Sequence, residues 1–439
     1  MKYYLTNSSE NFVEGSKDFV LNPGGEMKQI KVYPAVTYQT MLGMGAAFTE
    51  AAAYTWSKMS RRKKSELLDL YFGEKGSHYT YCRTHIQSCD FALGNYAYVE
   101  DETDAKLKTF QVDRDRKYLI PLIKAALKKD KSISLLASPW SPPPFMKTNG
   151  EMNHGGKLKK EYYERWAAVI AKYVQEYRKN GISVNSVTVQ NEPLATQTWD
   201  SCIFTAAEER EYVCNYLRSA LDSLGGEKTD IIIWDHNKEK LVERAGETLA
   251  TKDAAEKIKG IAFHWYTGDH FEEVQEVRRM FPDKELVLSE GCVEYSRNSS
   301  KDPVAYAEIY AHDIIGNFNA GTNAFIDWNM YLDAQGGPNH AGNYCDAPVM
   351  CDTENDTFTV QKSYYYIKHF SRFIQPGAKR MLLSRYTDKI EGTGFVNPDG
   401  GKTAVLLNKT DETQSFTFCE NENTCELELT GHSIMTVCW

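Results

Sequence analysis

The chain has no excess of positive charge: 51 Lys and Arg face 60 Asp and Glu over 439 residues, a net −9. That balance argues against nucleic acid or an anionic membrane surface as the main partner. No run of about 18 apolar residues occurs, which is what a membrane-spanning helix needs. Residues Met1 to Glu10 carry no apolar core of a secretory signal. No integral membrane segment is therefore expected. The ten Cys include no C-x-x-C pair, which excludes the common zinc-ribbon and thioredoxin motifs. Cys82, Cys89, Cys202 and Cys292 read as free buried thiols, while Cys419 and Cys425 are spaced to close a small loop. Thiols of this kind favour a reducing cytoplasm, or secretion if a leader has been removed. No H-E-x-x-H or clustered His/Asp spacing appears, so neither metal nor cofactor is expected. Internal repeats and low-complexity segments are also missing.

Aromatic residues, by contrast, are plentiful, with 27 Tyr and eight Trp. The pattern along the chain is a strand-then-helix rhythm. Short apolar or β-branched runs occur at 42–48, 78–86, 133–140, 184–191, 230–237, 260–266, 285–291 and 322–329. Amphipathic segments at 161–180 and 206–223 lie between them, and Gly181 and Gly225 stand where helix-terminating glycines belong. Eight such units predict a (β/α)8 barrel over residues 40–370. The rival doubly wound sheet lacks its G-x-G-x-x-G turn; Gly43-Met44-Gly45 is only a fragment. Segments 387–396, 402–409, 413–419 and 433–438 read as short strands, with Asn397 to Gly401 and Asn408 to Asp411 as turns. The first 38 residues are also strand-like, with a turn at Gly24-Gly25. Residues 1–39 and 371–439 are thus expected to form one β-sandwich beside the barrel.

Chemistry in a barrel of this type sits at the C-terminal ends of its strands. Those ends carry Arg83 and Asp90, Trp140, Asn191 and Glu192, Asp235 to Asn237, His264 to Tyr266, Glu290, and Asp327 to Asn329. Glycoside hydrolysis requires a protonated acid and a second carboxylate on the far face of the sugar. Glu192 ends the fourth strand and Glu290 the seventh, so the two face each other across the barrel. An isolated strand-end Glu is usually just solvated. Here Asn191 and Pro193 flank one, and the buried run Leu286 to Leu288 leads to the other. Arg83, His264 and Tyr266 form a second tier; an Arg or Tyr beside Glu290 would lower its pKa and orient it as a nucleophile, while Glu192 must keep a raised pKa.

The motifs resemble those of glycoside hydrolase family 30, in its acid β-glucosidase (glucosylceramidase) branch. The resemblance runs through Gly43 to Ala53, Ser88 to Phe91, Leu135 to Pro142, Met146 to Gly150 and Gln190 to Pro193. It continues through His264 to Tyr266, Asp327 to Asn329, Gly336 to Asn339 and His369 to Ser371. It implies a barrel joined to a sandwich made from both chain ends. It also implies retaining hydrolysis without a cofactor, with Glu192 as acid/base and Glu290 as nucleophile. Asp90, Trp140, Asn191, Trp328 and Asn343 fall where the family holds glucose hydroxyls, and Arg83 and Tyr266 where it steadies the nucleophile. The chain departs from the branch at Pro142 to Phe145, at Leu194 to Ser201, and at His340, where the branch carries a Trp. These loops border the leaving-group side, so an oligosaccharide or a small aryl or alkyl glucoside suits the chain as well as ceramide.

The leading expectation is a β-glucosidase. A β-1,6-glucanase, β-xylosidase or β-fucosidase of the same family is the alternative. A silent carbohydrate-binding protein, from a different class, would have lost one of the two carboxylates.

Overall fold

The computed structural model describes residues 1–21, 27–298, 300 and 302–439. The turn expected at Gly24-Gly25 lies outside the described residues. The eight apolar runs form eight parallel strands: β1 (Gly43–Phe48), β2 (Tyr81–Ile86), β3 (Ser134–Pro139), β4 (Ser186–Thr188), β5 (Asp230–Asn237), β6 (Gly260–His264), β7 (Glu285–Glu290) and β8 (Ala324–Asp327). Each pairs with the next, and β8 closes on β1 through Ala324 opposite Gly43. The closed barrel leaves no edge for another chain to pair with.

Strand alternation sorts the barrel interior into two storeys. Tyr81, Leu136, Ile232, Ala262, Val287 and Ala324 fill the lower part as an apolar plug. Two residues further along their strands, Arg83, Ser138, His264 and Ser289 enter the lumen, all fully buried. On β5 strict alternation would place Trp234 there. Instead the backbone turns left-handed at Trp234 (φ 72°) and Asp235 (φ 58°), and the register with β6 slips at this point. This bulge sends Trp234 outward, where its N–H bonds Glu209 at 2.9 Å, and turns Asp235 inward.

Helices wrap the outside. Tyr163–Lys179 buries Trp166, Val169, Ile170, Tyr173 and Val174 at helical spacing and ends before Gly181 (φ 78°). The segment expected to be helical at 206–223 is helical, with one wider π turn at Val213–Leu217. A capping box between Thr205 and Glu208 starts it.

Both chain ends meet in the second unit. Among the described residues, ten strands share one hydrogen-bonded order, and four of them come from residues 2–40. Lys2–Thr6 pairs antiparallel with Ser433–Cys438, and Gln29–Thr40 lies between Lys379–Arg385 and Gln414–Glu420. Ala404, Leu406, Phe416, Phe418, Leu427, Leu429, Met435 and Val437 form the sandwich interior at alternate positions. Val405, Leu407 and Ile434, out of phase with them, join the barrel's hydrophobic core instead. The strand Lys402–Asn408 is therefore covered on both faces, which explains its unbroken apolar run.

All ten cysteines are free thiols, and the loop expected between Cys419 and Cys425 is not closed. Cys419 faces Thr424 and Cys425 faces Phe418 across paired strands. Opposed residues share a face, so the two thiols lie on opposite faces of the ribbon. No helix among the described residues is long and apolar enough to cross a membrane.

Candidate active site

Asp235, delivered by the β5 bulge, is the hub of the upper lumen. Its Oδ2 accepts from Arg83 Nη2 at 2.8 Å, Ser138 at 2.9 Å and Thr188 at 2.7 Å. Its Oδ1 accepts from Ser289 at 2.6 Å and lies 3.1 Å from His264 Nε2. Burial would raise this carboxyl, but the Arg83 charge and the His264 bond hold it well below the usual range.

Arg83 is fully buried and spends four of its five N–H groups. Besides Asp235 it reaches Ser138 Oγ at 3.0 Å, Asn191 Oδ1 at 2.8 Å and Glu290 Oε2 at 2.6 Å. Its guanidinium lies 4.8 Å from the Trp140 ring centre and 5.5 Å from that of Trp328. The two indoles stack on each other at 5.1 Å. A flat cation bonded around its plane and faced by aromatic rings has little freedom to move, so Glu290 is held by a rigid partner.

Glu290 also accepts from Tyr266 Oη at 2.9 Å. Gly291 follows because any side chain there would meet the Trp265 ring at 2.7 Å. Across the lumen, Glu192 sits in a left-handed conformation (φ 45°), held by its N–H to the Asp235 carbonyl at 2.9 Å. A non-glycine residue in that region costs roughly 1–3 kcal/mol and concentrates where function requires the geometry. Its Oε1 lies 3.3 Å from His264 Nδ1 and 3.9 Å from His236 Nε2, and Gln197 Nε2 reaches Oε2 at 3.5 Å.

His264 thus stands between three carboxylates. Burial lowers its pKa, but the Glu290 charge and the bonds to Asp235 and Glu192 win and lift it to about 9. Both glutamates run opposite to the expectation from the sequence: burial pushes Glu290 up despite the His264 and Arg83 charges. For Glu192, expected to keep a raised pKa, burial is outweighed by the neighbouring imidazoles, and the carboxyl is held down to about 2. The His264 imidazole, bonded to Glu192 and Asp235, is therefore charged at neutral pH.

Asp90, Trp140, Asn191, Trp328 and Asn343 line a single pocket of about 120 Å³ together with Glu192, Glu290 and Tyr266. Arg83 and His264 stand behind the two glutamates. All ten residues singled out in the sequence are thus brought together. Asp90 is buried, its carboxyl pushed far up by burial and by the two glutamates, and Asn339 donates to it at 3.3 Å. Asp235 and His236 were visible only as polar residues at a strand end. Gln197, Glu294 and Arg297 also line the pocket and carried no motif.

Glu192, His264 and Glu290 are also the one group among the described residues whose donor atoms, all within 4.8 Å of one another, are close enough to hold a metal ion. They do not fit that role. Both Glu290 oxygens already accept hydrogen bonds, from Arg83 and from Tyr266.

Comparison with known proteins matches this architecture. The Glycosyl hydrolase family 30 TIM-barrel domain matches residues 41–374, and the family's beta sandwich domain matches residues 377–437. Lysosomal acid glucosylceramidase of Mus musculus is 33% identical over 433 residues, covering 93% of this chain and 83% of its own. The crystal structure of SrfJ from Salmonella typhimurium superposes with a TM-score of 0.97 at 42% identity, covering 100% of this chain and 99% of its own. A solved endo-beta1,6-glucanase superposes with a TM-score of 0.90 at 26% identity, covering 100% and 99%. The chain therefore belongs to glycosyl hydrolase family 30 and is an O-glycosyl hydrolase.

Proposed function

We propose that the protein is a retaining β-glucosidase acting by double displacement, with Glu290 as nucleophile and Glu192 as general acid/base. One observation carries this reading: a carboxylate oxygen of Glu192 and one of Glu290 lie within 4.8 Å of each other. Inverting enzymes need about 6.5–9.5 Å between the carboxyl groups to admit a water, whereas retaining ones use about 5–5.5 Å.

The roles follow from the partners. Arg83 and Tyr266 both donate to Glu290, fixing its charge and direction for attack on the anomeric carbon. As the Glu290–carbon bond forms and the glycosidic bond breaks, the leaving oxygen takes a proton from Glu192. A water then gives its proton back to Glu192 and its oxygen to the anomeric carbon, and Glu290 is released. His264 supplies the starting proton. A bound sugar excludes water and raises the cost of charge on Glu192, so the proton 3.3 Å away passes from the imidazole to the carboxylate.

The pocket suits one sugar ring. Arg83 occupies Asn191 Oδ1, which leaves the Asn191 amide N–H groups for a hydroxyl. Asp90 and Asn343 offer further polar partners, and Trp140 and Trp328 close one wall. The glucosylceramidase relative supports glucose as that sugar. The endo-beta1,6-glucanase likeness favours a second reading, internal cleavage of β-1,6-glucan.

The test is time-resolved NMR of 4-nitrophenyl β-D-glucoside hydrolysis. β-Glucose as the first product supports the proposal, and α-glucose overturns it. Release of glucose alone from β-1,6-glucan supports exo action; longer fragments favour the second reading.

A further inference from the structure

A larger cavity, about 500 Å³, adjoins the catalytic pocket. The two share the walls made by Tyr266, Cys292, Glu294 and Arg297. Arg297 forms the sill: its Nη1 donates to the Tyr266 carbonyl at 3.1 Å and its Nε lies 3.4 Å from Glu294. The cavity lies beyond the strand ends of β6 and β7. Asp90, Trp140, Trp328 and Asn343, which grip the first sugar, come from β2, β3 and the loop after β8. It therefore opens off the catalytic pocket on the side away from those residues, where a leaving group would extend.

Its lining is mixed in a particular way. Trp265, Val293 and Ile309 give an apolar patch, and Asp269, Glu294, Glu308 and His312 give polar groups around it. The polar side chains are braced: His312 lies 2.7 Å from Glu391 and 3.1 Å from Asp269, and Glu308 lies 2.9 Å from His432. The Glu294 side chain is only 15% exposed, and burial raises its carboxyl. An acyl chain needs continuous apolar lining, which these carboxylates interrupt. A pyranose has an apolar C–H face bordered by hydroxyls, which this arrangement matches.

We propose that the cavity behind Glu294 and Arg297 is a binding site for the leaving-group sugars of a β-glucosyl oligosaccharide. The proposal rests on the β-glucosidase reading for its substrate, and on the shape and lining of the cavity for its position. The preferred substrate is then a short oligosaccharide with its terminal glucose in the catalytic pocket and its reducing-side rings in the cavity. A lipid leaving group is disfavoured.

Two measurements on the full chain test this. Ile309→Trp places an indole in the cavity, on the second turn of the helix Pro303–Ala320. It should lower kcat/KM for gluco-trisaccharides (β-1,3, β-1,4 and β-1,6 linked) by about tenfold or more relative to 4-nitrophenyl β-glucoside. An unchanged ratio overturns the proposal. Crystals of Glu290→Gln soaked with the same trisaccharides should show reducing-side rings between Glu294, Glu308 and His312. Rings placed elsewhere, or none in the cavity with any of the three, also overturn it. Should the wild type leave the aryl glucoside uncleaved, the β-glucosidase reading fails by itself, and the soaked crystals still decide the cavity.

Discussion

His340 Nε2 lies 3.2 Å from Asp200 Oδ2, joining two of the three places in which the chain departs from the acid β-glucosidase pattern. These two departures are one feature. Asp200 also accepts from Ser88 Oγ at 2.5 Å and from Asn95 at 3.0 Å, and the His340 N–H reaches the Asp90 carbonyl at 3.1 Å. The pair thus ties the loops after β2, β4 and β8 around the residue expected to bind a sugar hydroxyl.

Asp200→Asn should loosen Asp90 without touching the carboxylate pair. The expected result is a KM for 4-nitrophenyl β-glucoside raised about 3- to 10-fold, with kcat little changed, measured by steady-state kinetics. A loss confined to kcat would show that the loop serves the chemistry instead.

Asp235→Asn removes the charge that offsets Arg83 and supports His264. Breaking a buried ion pair from one side costs about 3–5 kcal/mol, so the melting temperature should fall clearly. The His264 pKa, now at about 9, should drop as well, moving the alkaline limb of the kcat profile to lower pH. A merely structural role would lower stability and leave that limb in place.

Glu290→Gln should abolish turnover, since no other group is placed to form the glycosyl ester. Glu192→Ala should slow substrates with poor leaving groups by about 10²- to 10⁴-fold. Added azide should restore cleavage of activated aryl glucosides and give the β-glucosyl azide, read by NMR. Equal losses on all leaving groups, with no rescue, would remove Glu192 from its role.

His369 predicts an acid-side instability. It is fully buried between Thr6 and Thr436, 2.9 and 2.8 Å away, and burial lowers its pKa from 6.5 to about 3. The unfolded chain therefore binds a proton between these values that the folded one refuses. Its contribution is intact above pH 6.5 and is lost progressively as pH falls toward 3. Melting temperatures from pH 7 to 4 should fall less steeply for His369→Gln than for the wild type.

The barrel was legible because its strands are short apolar runs that each end in one polar cluster. Glu192 and Glu290 stood out there as single charges at the ends of buried segments. Asp235 did not, because the period-2 pattern of β5 points Trp234 inward and only the left-handed bulge reverses that. The strand Lys379–Arg385 escaped for a related reason: Met381 is its one fully buried residue, so it has no alternation to read. The hairpin Val349–Asp352 with Thr357–Val360 lies within the long connection after β8; Asn355 and Asp356 mark its turn, but each strand is only four residues long. The second cavity is assembled from the segments after β6 and β7, the helix that follows and the sandwich residue Lys409, a juxtaposition that no linear pattern encodes.

The pairing of Lys2–Thr6 with Ser433–Cys438 has a consequence for how the chain is made. Synthesis proceeds N-terminus first at about 5–20 residues per second. Lys2–Thr6 must therefore wait for Ser433–Cys438 before it has its central partner. Gln29–Thr40 waits nearly as long for Lys379–Arg385 and Gln414–Glu420. During that interval the barrel segments emerge in consecutive, mutually pairing order, and the sandwich can close only once Ser433–Cys438 has left the ribosome.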